Sequence, residues 1–183
     1  MNIKRLAFIS VVLCSIALHC HVPGLVSAEP ATESRIKAAY LLNFARFVTW
    51  PDTAFESSVS PIVLCILGDS PIDNALPTIQ YKRVQDRPLV IRRIPTMKDL
   101  SPCHMLFVGE SEAPRIREIL SELNAHPVLT VSSLPDFARR GGMLSFIKVE
   151  NKIRFEVNLS TTQHAGLSIS SRLLKLARLV PNP

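Results

Sequence analysis

Residues that could carry out catalysis are few in this chain, and they do not form a recognisable set. His104 and His164 have no Asp at a useful spacing, and Ser70 is followed directly by a proline, so no catalytic triad is indicated. Glu110 and Glu112 could act as an acid and base pair, but the helix dipole alone favours carboxylates at a helix start. The sequence therefore predicts a binding protein and not an enzyme.

One candidate ligand site is the turn formed by Gly68, Asp69 and Ser70. It follows a predicted strand and precedes a predicted helix, which is where doubly wound folds bind ligands. A phosphate-binding loop needs several glycines for close backbone approach, and this turn has one. A plain strand-to-helix turn explains the same residues. The histidines of the chain stand singly, without zinc-like spacing, so we expect no metal and no cofactor.

Residues 1–28 have the pattern of a secretory signal peptide. Lys4 and Arg5 precede an apolar run from Leu6 to Leu18, and Val26-Ser27-Ala28 is a small-residue cleavage site. The run is shorter than the roughly 20 residues that cross a bilayer, although an uncleaved membrane anchor is the alternative interpretation. We therefore expect residues 29–183 to form a single soluble domain in a bacterial periplasm.

Export changes how the cysteines are interpreted. Two of the four cysteines, Cys65 and Cys103, lie after the predicted cleavage site. An even pair in an oxidising compartment indicates a disulfide, and the two predicted strands that carry them can be neighbours in a doubly wound sheet. Two buried free thiols are the alternative, because the sequence does not give the Cα separation that a disulfide requires.

The charge distribution disfavours a nucleic-acid partner. The net charge of +6 falls to +4 when Lys4 and Arg5 are removed, and the remaining basic residues are scattered instead of forming one stripe with stacking aromatics. A basic face for an acidic protein surface or for anionic head groups is compatible with this composition.

Helical and strand patterns alternate along residues 29–183. A helix is predicted from Ile36 to Asp52, where apolar residues recur at helical spacing until Pro51 ends the pattern. Further helices are predicted at 71–76, 111–124 and 134–140, one helical turn at 97–100, and strands at 61–67, 87–94, 103–109 and 127–131. Segments 143–149 and 153–157 predict a hairpin at the antiparallel edge of the sheet. The predicted fold is α/β, a Rossmann-like, doubly wound, mostly parallel sheet with an antiparallel C-terminal hairpin and helices on both faces.

The C-terminal region predicts a short helix at 159–164 and then a final amphipathic helix. One face of that final helix would carry Ile169, Leu173, Leu176, Ala177 and Val180, and the other Arg172, Lys175 and Arg178. Both a membrane-surface helix and a docked terminal helix fit this pattern. Phe47 and Trp50 could form an exposed recognition patch, or a half-buried packing site. The predicted interaction surface therefore consists of Phe47, Trp50, Arg172, Lys175 and Arg178.

Four stretches of the sequence resemble the YfiR family (DUF4154). They are KAAYLLNFARFVTWP at 37–51, ILGDSP at 66–71, CHMLFVGE at 103–110, and GGMLSFIKVENKIRFEVNLSTTQHAGLSISSRLLKLARLV at 141–180. They extend through most of the region after the signal peptide, in the family's order. The first and last are the specific ones, because each combines several features in a fixed order.

The resemblance implies a periplasmic α/β protein that regulates signalling without catalysis. The best-known type of this family represses a membrane-bound diguanylate cyclase by holding its periplasmic sensor domain inactive, which lowers cyclic-di-GMP output and restrains biofilm formation. Such proteins tend to be dimeric and redox-sensitive, and Cys65 and Cys103 match the family's structural disulfide. Some relatives carry a second cysteine pair near the hairpin, which this chain lacks, so a redox switch based on that pair is not expected.

The partners implied are therefore the periplasmic domain of an inner-membrane signalling protein, a diguanylate cyclase or a kinase, and an outer-membrane lipoprotein. A homodimer is also expected. The alternative function is a periplasmic small-molecule-binding sensor that uses the turn at Gly68, Asp69 and Ser70 and acts on a histidine kinase or another membrane receptor.

Overall fold

The long apolar runs of the sequence form the centre of an eight-stranded sheet in the computed structural model, which describes residues 29–123 and 126–181. The strands in chain order are β1 (Val48–Thr49), β2 (Ile62–Leu67), β3 (Arg83–Val84), β4 (Arg87–Ile94), β5 (Met105–Val108), β6 (Leu129–Ser132), β7 (Leu144–Val149), β8 (Lys152–Val157), β9 (Ser168–Ile169) and β10 (Arg178–Leu179). Strands β1 and β9 form a separate two-stranded sheet.

The described residues also form four α-helices and four 3₁₀ segments. The α-helices are α1 (Glu29–Phe47), α2 (Ile116–Glu122), α3 (Leu159–His164) and α4 (Ser171–Leu174). The 3₁₀ segments are Asp52–Ala54, Pro71–Thr78, Met97–Asp99 and Glu110–Arg115. None of the helices that the structure describes is long and apolar enough to cross a membrane.

The strand order in the large sheet is β10-β8-β7-β6-β5-β2-β4-β3. Strands β4, β2, β5, β6 and β7 run parallel, whereas β3 pairs with β4 and β8 pairs with β7 in antiparallel fashion. Separate apolar clusters cover the two faces of the sheet. The predicted α/β class, with a mostly parallel doubly wound sheet and an antiparallel C-terminal hairpin, is therefore confirmed.

Alternate residues of the buried strands supply the two cores. Ile62, Leu64 and Ile66 of β2 face the core that contains α1, and Val63, Cys65 and Leu67 face the core that contains α2. On the first face an aromatic cluster joins α1 to the hairpin, with ring centroids 5.0 Å apart for Phe44 and Phe155 and 5.7 Å apart for Phe44 and Phe146. Burial on both faces explains why β2 is a continuous apolar run.

The first predicted helix ends earlier than its apolar pattern suggested. The helix stops at Phe47, and the next two residues form β1, which pairs with β9 in the register Val48↔Ile169 and Thr49↔Ser168. Both residues of β1 are β-branched and therefore suit an extended backbone. Strand pairing with a distant segment thus replaced the last predicted turn of the helix.

Of two other predicted helices, one is shortened and one is absent. Residues Glu110–Arg115 are 3₁₀ and α2 begins at Ile116, because Pro114 has no N–H to complete an α-helical ladder at that point. The predicted end of this helix, Asn124, lies outside the described residues. Residues 134–140 form successive turns instead of a helix, and Asp136 has a φ of +56°, which breaks a right-handed helix.

The predicted final helix is wrong in extent. Only Ser171–Leu174 are helical, and Arg178–Leu179 form β10, which pairs in parallel with β8. The backbone N–H of Val180 donates to the carbonyl of Val157 at 3.0 Å. Pairing at both ends of the segment leaves room for about one helical turn, because a helix advances only 1.5 Å per residue and a strand 3.3 Å.

The edges of the sheet also differ from the prediction. The hairpin of β7 and β8 is not the outermost pair, since β10 lies beyond β8. At the other edge lies β3, which was not predicted. It joins β4 through a turn in which Gln85 and Asp86 have φ values of +48° and +66°. Glycine or asparagine usually marks such a turn, and this one has neither. The signal-peptide prediction for residues 1–28 lies outside the described residues.

Candidate functional site

The segment that follows α1 meets the C-terminal region of the described chain through β1 and β9. Besides the strand register, the backbone N–H of Ser170 donates to the carbonyl of Phe47 at 2.8 Å, which places the end of α1 next to the start of α4. Phe47 is half-buried, and Arg172 in α4 is exposed. The structure thus brings together residues that lie 125 positions apart in the sequence and that were predicted to share a surface.

The segment from α4 to β10 presents apolar and basic side chains to solvent. Leu176 is 65% exposed and Leu179 is 54% exposed, whereas Leu173 is buried in the core. Arg172, Lys175 and Arg178 are exposed in the same segment. We call the set Arg172, Lys175, Leu176, Arg178 and Leu179 the C-terminal surface.

Leu176 was predicted to lie on the apolar face of the final helix. The side chain is instead exposed because α4 ends after one turn and the chain then runs on to β10. The spacing of apolar residues could not predict the exposure of Leu176, because that spacing indicates a continuous helix and the helix ends after one turn.

Only one of the three cations on the C-terminal surface has an ionic partner in the described part of the chain. Arg178 Nε lies 3.6 Å from Oε1 of Glu156, and Arg139 Nη2 lies 3.5 Å from the same oxygen. Glu156 is buried, so the two guanidinium groups compensate a carboxylate that would otherwise be costly there. Arg172 and Lys175 make no ion pair with a described residue and are available to an acidic partner.

Trp50, which was predicted as a possible surface residue, belongs to the core. It is 5% exposed, and its Nε1–H donates to the backbone carbonyl of His104 at 2.9 Å. Trp50 is therefore a packing residue after the end of α1, and its indole N–H has a polar partner. In this conformation Trp50 is not available for contact with a partner.

His104, which looked like an isolated histidine in the sequence, lies at the centre of a polar cluster. Its Nδ1 accepts a hydrogen bond from the backbone N–H of Val63 at 3.1 Å, and its Nε2 lies 3.0 Å from the carbonyl oxygen of Ala54. These partners require a neutral ring with the proton on Nε2, which donates to Ala54. Burial lowers the pKa of His104, the hydrogen bond to Ala54 opposes this, and the nearby charge of Arg87 lowers the pKa further.

The loop before β2 is fixed to this cluster by aromatic and cationic contacts. The ring of Phe55 stacks on His104 with centroids 4.5 Å apart, and the guanidinium carbon of Arg87 lies 3.9 Å from the centroid of Phe55. Arg87 Nη1 also donates to the carbonyls of Ser57 at 2.9 Å and Ser60 at 2.6 Å. Arg87 therefore ties the loop to β4 and packs on the ring that stacks on the buried histidine.

Cys65 and Cys103 are joined by a disulfide, with Cα atoms 5.8 Å apart. Cys65 lies within β2, and Cys103 lies just before β5, its neighbour in the sheet. The residue after Cys103 is His104, so the disulfide helps to fix the histidine cluster. The sequence expectation of a disulfide between two adjacent strands agrees with this arrangement.

A cleft of about 480 Å³ opens beside the disulfide at the amino ends of the strands. Its walls include Phe55, Leu100, Cys103 and Val128. Doubly wound folds bind their ligands at the opposite, carboxyl ends of the strands. A cleft was not predicted here, because Leu100, Cys103 and Val128 belong to segments whose sequence is typical of ordinary core strands and connections.

The predicted ligand turn lies at the carboxyl end of β2, and hydrogen bonds within the chain engage its polar atoms. The carbonyl of Gly68 accepts from Arg93 Nη1 at 3.0 Å, and the N–H of Asp69 donates to Ser111 Oγ at 2.9 Å. Ser70 Oγ accepts from the N–H of Ile72 at 3.4 Å and so caps the 3₁₀ segment. A strand-to-helix turn accounts for these contacts.

Residue Gly68 itself is required by the turn. It has a φ of +75°, and a Cβ at this position would lie 2.5 Å from Ser111 Oγ and 2.6 Å from Glu112 Cγ. The neighbouring segment thus closes over the turn where a ligand would need space. Within the described residues, moreover, no three His, Cys, Asp or Glu side chains are grouped so that they could hold a metal ion.

A comparison with protein families gives a match over most of the chain. The sequence model of the family described as YfiR/HmsC-like (DUF4154) matches residues 34–178. The matched region runs from the first turns of α1 to the first residue of β10 and contains both cysteines of the disulfide.

Proposed function

This chain belongs to the YfiR/HmsC-like family, and from that premise we propose that it represses a membrane-bound diguanylate cyclase by binding the cyclase's periplasmic domain. The family suggests a periplasmic regulator of diguanylate cyclase signalling and is regulatory, not catalytic. The finer proposal is that binding is stoichiometric and that it lowers cyclic-di-GMP and biofilm formation.

The observation that carries the proposal is the C-terminal surface. Exposed leucines next to the basic side chains of Arg172 and Lys175 are typical of a surface that is covered when a partner binds, because apolar contact supplies affinity and the cations select an acidic partner. The sequence stretches that build this region, the end of α1 and the segment after Gly166, are the most specific parts of the family resemblance. The half-buried Phe47 beside α4 extends this surface.

Repression of this kind needs a preference for one state of the cyclase. A regulator that binds only the inactive arrangement of the periplasmic domain shifts the population of the cyclase toward it. A shift from nearly all active to nearly all inactive needs a difference in binding free energy of about 5.5 kcal/mol between the two states. A surface with both apolar anchors and charges can reach such a difference through a few well-buried side chains.

The proposal is tested by deleting the gene and measuring cellular cyclic-di-GMP, then restoring variants. Deletion should raise cyclic-di-GMP, and the unchanged gene should restore the lower concentration. Leu176→Glu with Leu179→Glu should fail to restore it, because two carboxylates replace the apolar contacts. Val59→Glu is the matched control, since Val59 is 79% exposed in a different part of the molecule. An unchanged cyclic-di-GMP concentration after deletion would contradict the proposal.

Binding to the cyclase can be measured directly with purified proteins. Titration of the cyclase's isolated periplasmic domain by calorimetry should give a saturable complex that the two leucine substitutions weaken and that Val59→Glu leaves intact. Circular dichroism of each variant checks that the fold is kept. No heat of binding from the unchanged protein, at concentrations that suppress cyclic-di-GMP in the cell, would rule out a direct clamp.

The second candidate function is a periplasmic small-molecule sensor that acts on a histidine kinase or another membrane receptor. The cleft of about 480 Å³ favours it, because its size lies within the usual range for ligand pockets. Because Ser111 and Glu112 pack closely against Gly68, this cleft is a better candidate ligand site than the turn at Gly68, Asp69 and Ser70. A thermal-shift screen of metabolites, with stabilisation that follows ligand concentration, would support the sensor over the repressor if deletion leaves cyclic-di-GMP unchanged.

Three further parts of the proposal concern the protein's surroundings. We propose that residues 1–28 direct export and are removed near Ala28, that the protein forms a homodimer, and that an outer-membrane lipoprotein competes for it. N-terminal sequencing of protein from the periplasm, and sedimentation equilibrium of the purified chain, test the first two points. Release of cyclase repression when the lipoprotein is overproduced tests the third.

A further inference from the structure

A groove of about 510 Å³ lies between α1 and the hairpin of β7 and β8. It shares no lining residue with the C-terminal surface. The residues that line it are Thr32, Glu33, Ile36, Tyr40, Lys148, Asn151, Lys152, Ile153 and Arg154. Neither the predicted interaction surface nor the predicted ligand turn includes any of them.

One wall of this groove is an incompletely paired strand. β8 pairs with β7 along its whole length, whereas β10 pairs only with Glu156 and Val157 of β8. The outer edge of residues 152–155 therefore has no strand neighbour in the described part of the chain. The N–H and C=O groups of such an edge are a template to which another extended segment can be added.

The two faces of this edge differ in chemistry. Ile153 is buried on the side of α1, and its neighbours Lys152 and Arg154 are exposed, as the alternation of a strand requires. On the α1 side, Ile36 is 40% exposed and Tyr40 contacts the core, with its ring centroid 5.4 Å from that of Phe155. An added strand would therefore meet Ile36 and Tyr40 on one face, beside the ion pair of Glu33 and Lys148, and exposed cations on the other.

The charges determine which kind of strand fits. The lining residues include three cations, Lys148, Lys152 and Arg154, and one carboxylate, Glu33. Glu33 is already engaged, since Lys37 Nζ lies 2.7 Å and Lys148 Nζ 3.7 Å from its oxygens. Lys152 and Arg154 form no ion pair with a described residue. Pairing with the same edge of a second copy would oppose like charges, which disfavours self-association here.

We propose that this groove binds an extended, acidic segment of another polypeptide by adding it as a strand to the free edge of β8. Alternate apolar side chains of that segment contact Ile36 and Tyr40, and the carboxylates between them face Lys152 and Arg154. The groove is concave, which suits a single extended segment better than a flat bilayer. This surface is additional to the proposed cyclase clamp, and the proposal does not require the two to bind the same partner.

The test uses protein purified from the periplasm and a fluorescent octapeptide of alternating Glu and Val. Anisotropy should show saturable binding, and a peptide of alternating Lys and Val should not bind. Lys152→Glu with Arg154→Glu should weaken binding of the acidic peptide by about tenfold or more, because two attractive charge pairs become repulsive. Lys82→Glu with Lys98→Glu is the control, since it makes the same change of net charge at exposed residues outside the groove.

A second probe separates strand addition from charge attraction alone. The same acidic peptide with N-methyl groups on alternate backbone nitrogens keeps its charge but cannot donate hydrogen bonds to the edge, so we expect about tenfold weaker binding. Slower amide exchange at residues 152–155 with the unmethylated peptide would support the proposal. Equal binding of the methylated peptide would overturn it, as would equal binding by the Lys152 and Arg154 variant. Binding of phosphatidylglycerol vesicles through these residues, with no peptide binding, would also overturn it and assign the surface to a membrane.

Discussion

At the scale of single residues, the buried ring of His104 makes the stability of the fold depend on pH. Burial lowers the pKa of His104 in the folded state, whereas a histidine in an unfolded chain titrates near its ordinary value of about 6.5. As the pH falls below about 6.5, the unfolded chain therefore binds the proton first, and the free energy of unfolding decreases. The loss ends once the pH is below the pKa of the folded state, where both states are protonated.

Urea unfolding between pH 7.5 and pH 5 measures this effect. His104→Gln should be less stable than the unchanged protein at pH 7.5, since the amide does not reproduce both ring hydrogen bonds, and its stability should change less over the acid range. His126→Gln is the control, because His126 is exposed. The same pH slope in the unchanged protein and in the His104 variant would refute this role for His104.

The disulfide is the second stabilising feature at this scale. It closes a loop with a sequence separation of 38 residues, so replacing both cysteines by serine should reduce the free energy of unfolding by about 4 kcal/mol in the chain-entropy model. Chemical denaturation of the double variant, with the unchanged protein in reducing agent as the comparison, measures the loss. A loss well below 1 kcal/mol would mean that the strands alone hold β2 and β5 in place.

At the scale of elements, the end of α1 depends on a side chain from the β3–β4 turn. Gln85 Nε2 donates to the carbonyl of Val48 at 2.9 Å and to that of Arg46 at 3.0 Å, groups that have no partner within the helix. Gln85→Ala should therefore cost about 1 kcal/mol of stability and speed amide exchange in the last turn of α1.

Gln85→Glu tests the chemistry of this cap more sharply. A carboxylate cannot donate a hydrogen bond and would repel the carbonyl oxygens, so we expect Gln85→Glu to be at least as destabilising as Gln85→Ala. Gln163→Ala, at an exposed position in α3, is the control. If the Glu variant is as stable as the unchanged protein, the contact contributes nothing to the helix end.

At the scale of the whole molecule, β10 closes one edge of the sheet. Arg178 compensates the buried Glu156, and Val180 is buried beside β8. A chain that ends after Ala177 should lose about 2–4 kcal/mol, since it loses the burial of Val180 and one of two charge partners of a buried carboxylate. It should also associate with itself more readily, because the loss of β10 frees the edge at Glu156 and Val157, where a carboxylate can lie opposite Lys152 or Arg154 of a second copy.

Denaturation and static light scattering of this shortened chain measure the two effects, and Arg178→Ala separates the lost charge from the lost strand. We expect the single substitution to destabilise less than the truncation, because Arg139 still lies 3.5 Å from Glu156. Equal effects of the two changes would mean that the charge pair, and not the strand, holds this edge.

The sequence by itself determined the central sheet of this protein and which faces of its strands are buried. Continuous apolar runs such as β2 require burial on both faces, and alternating patterns such as β7 and β8 require one buried face, so the sheet, its mostly parallel order and the hairpin could be predicted. The pair Cys65 and Cys103 was identifiable for a different reason, since two cysteines in an exported domain indicate a disulfide and their predicted strands can be neighbours in a doubly wound sheet. The strand and hairpin patterns depend on residues close together in the chain.

Only the tertiary structure decided the secondary structure of the segments after α1 and after α4. Val48 and Thr49 are extended because Ser168 and Ile169 pair with them, and Arg178 and Leu179 form a strand because β8 offers an edge. The exposure of Leu176, the burial of Trp50 and the hydrogen bonds of His104 all follow from such distant contacts. Local propensity could not predict them, because the free energy of pairing with a remote strand exceeds the weak preference of a short segment for a helix.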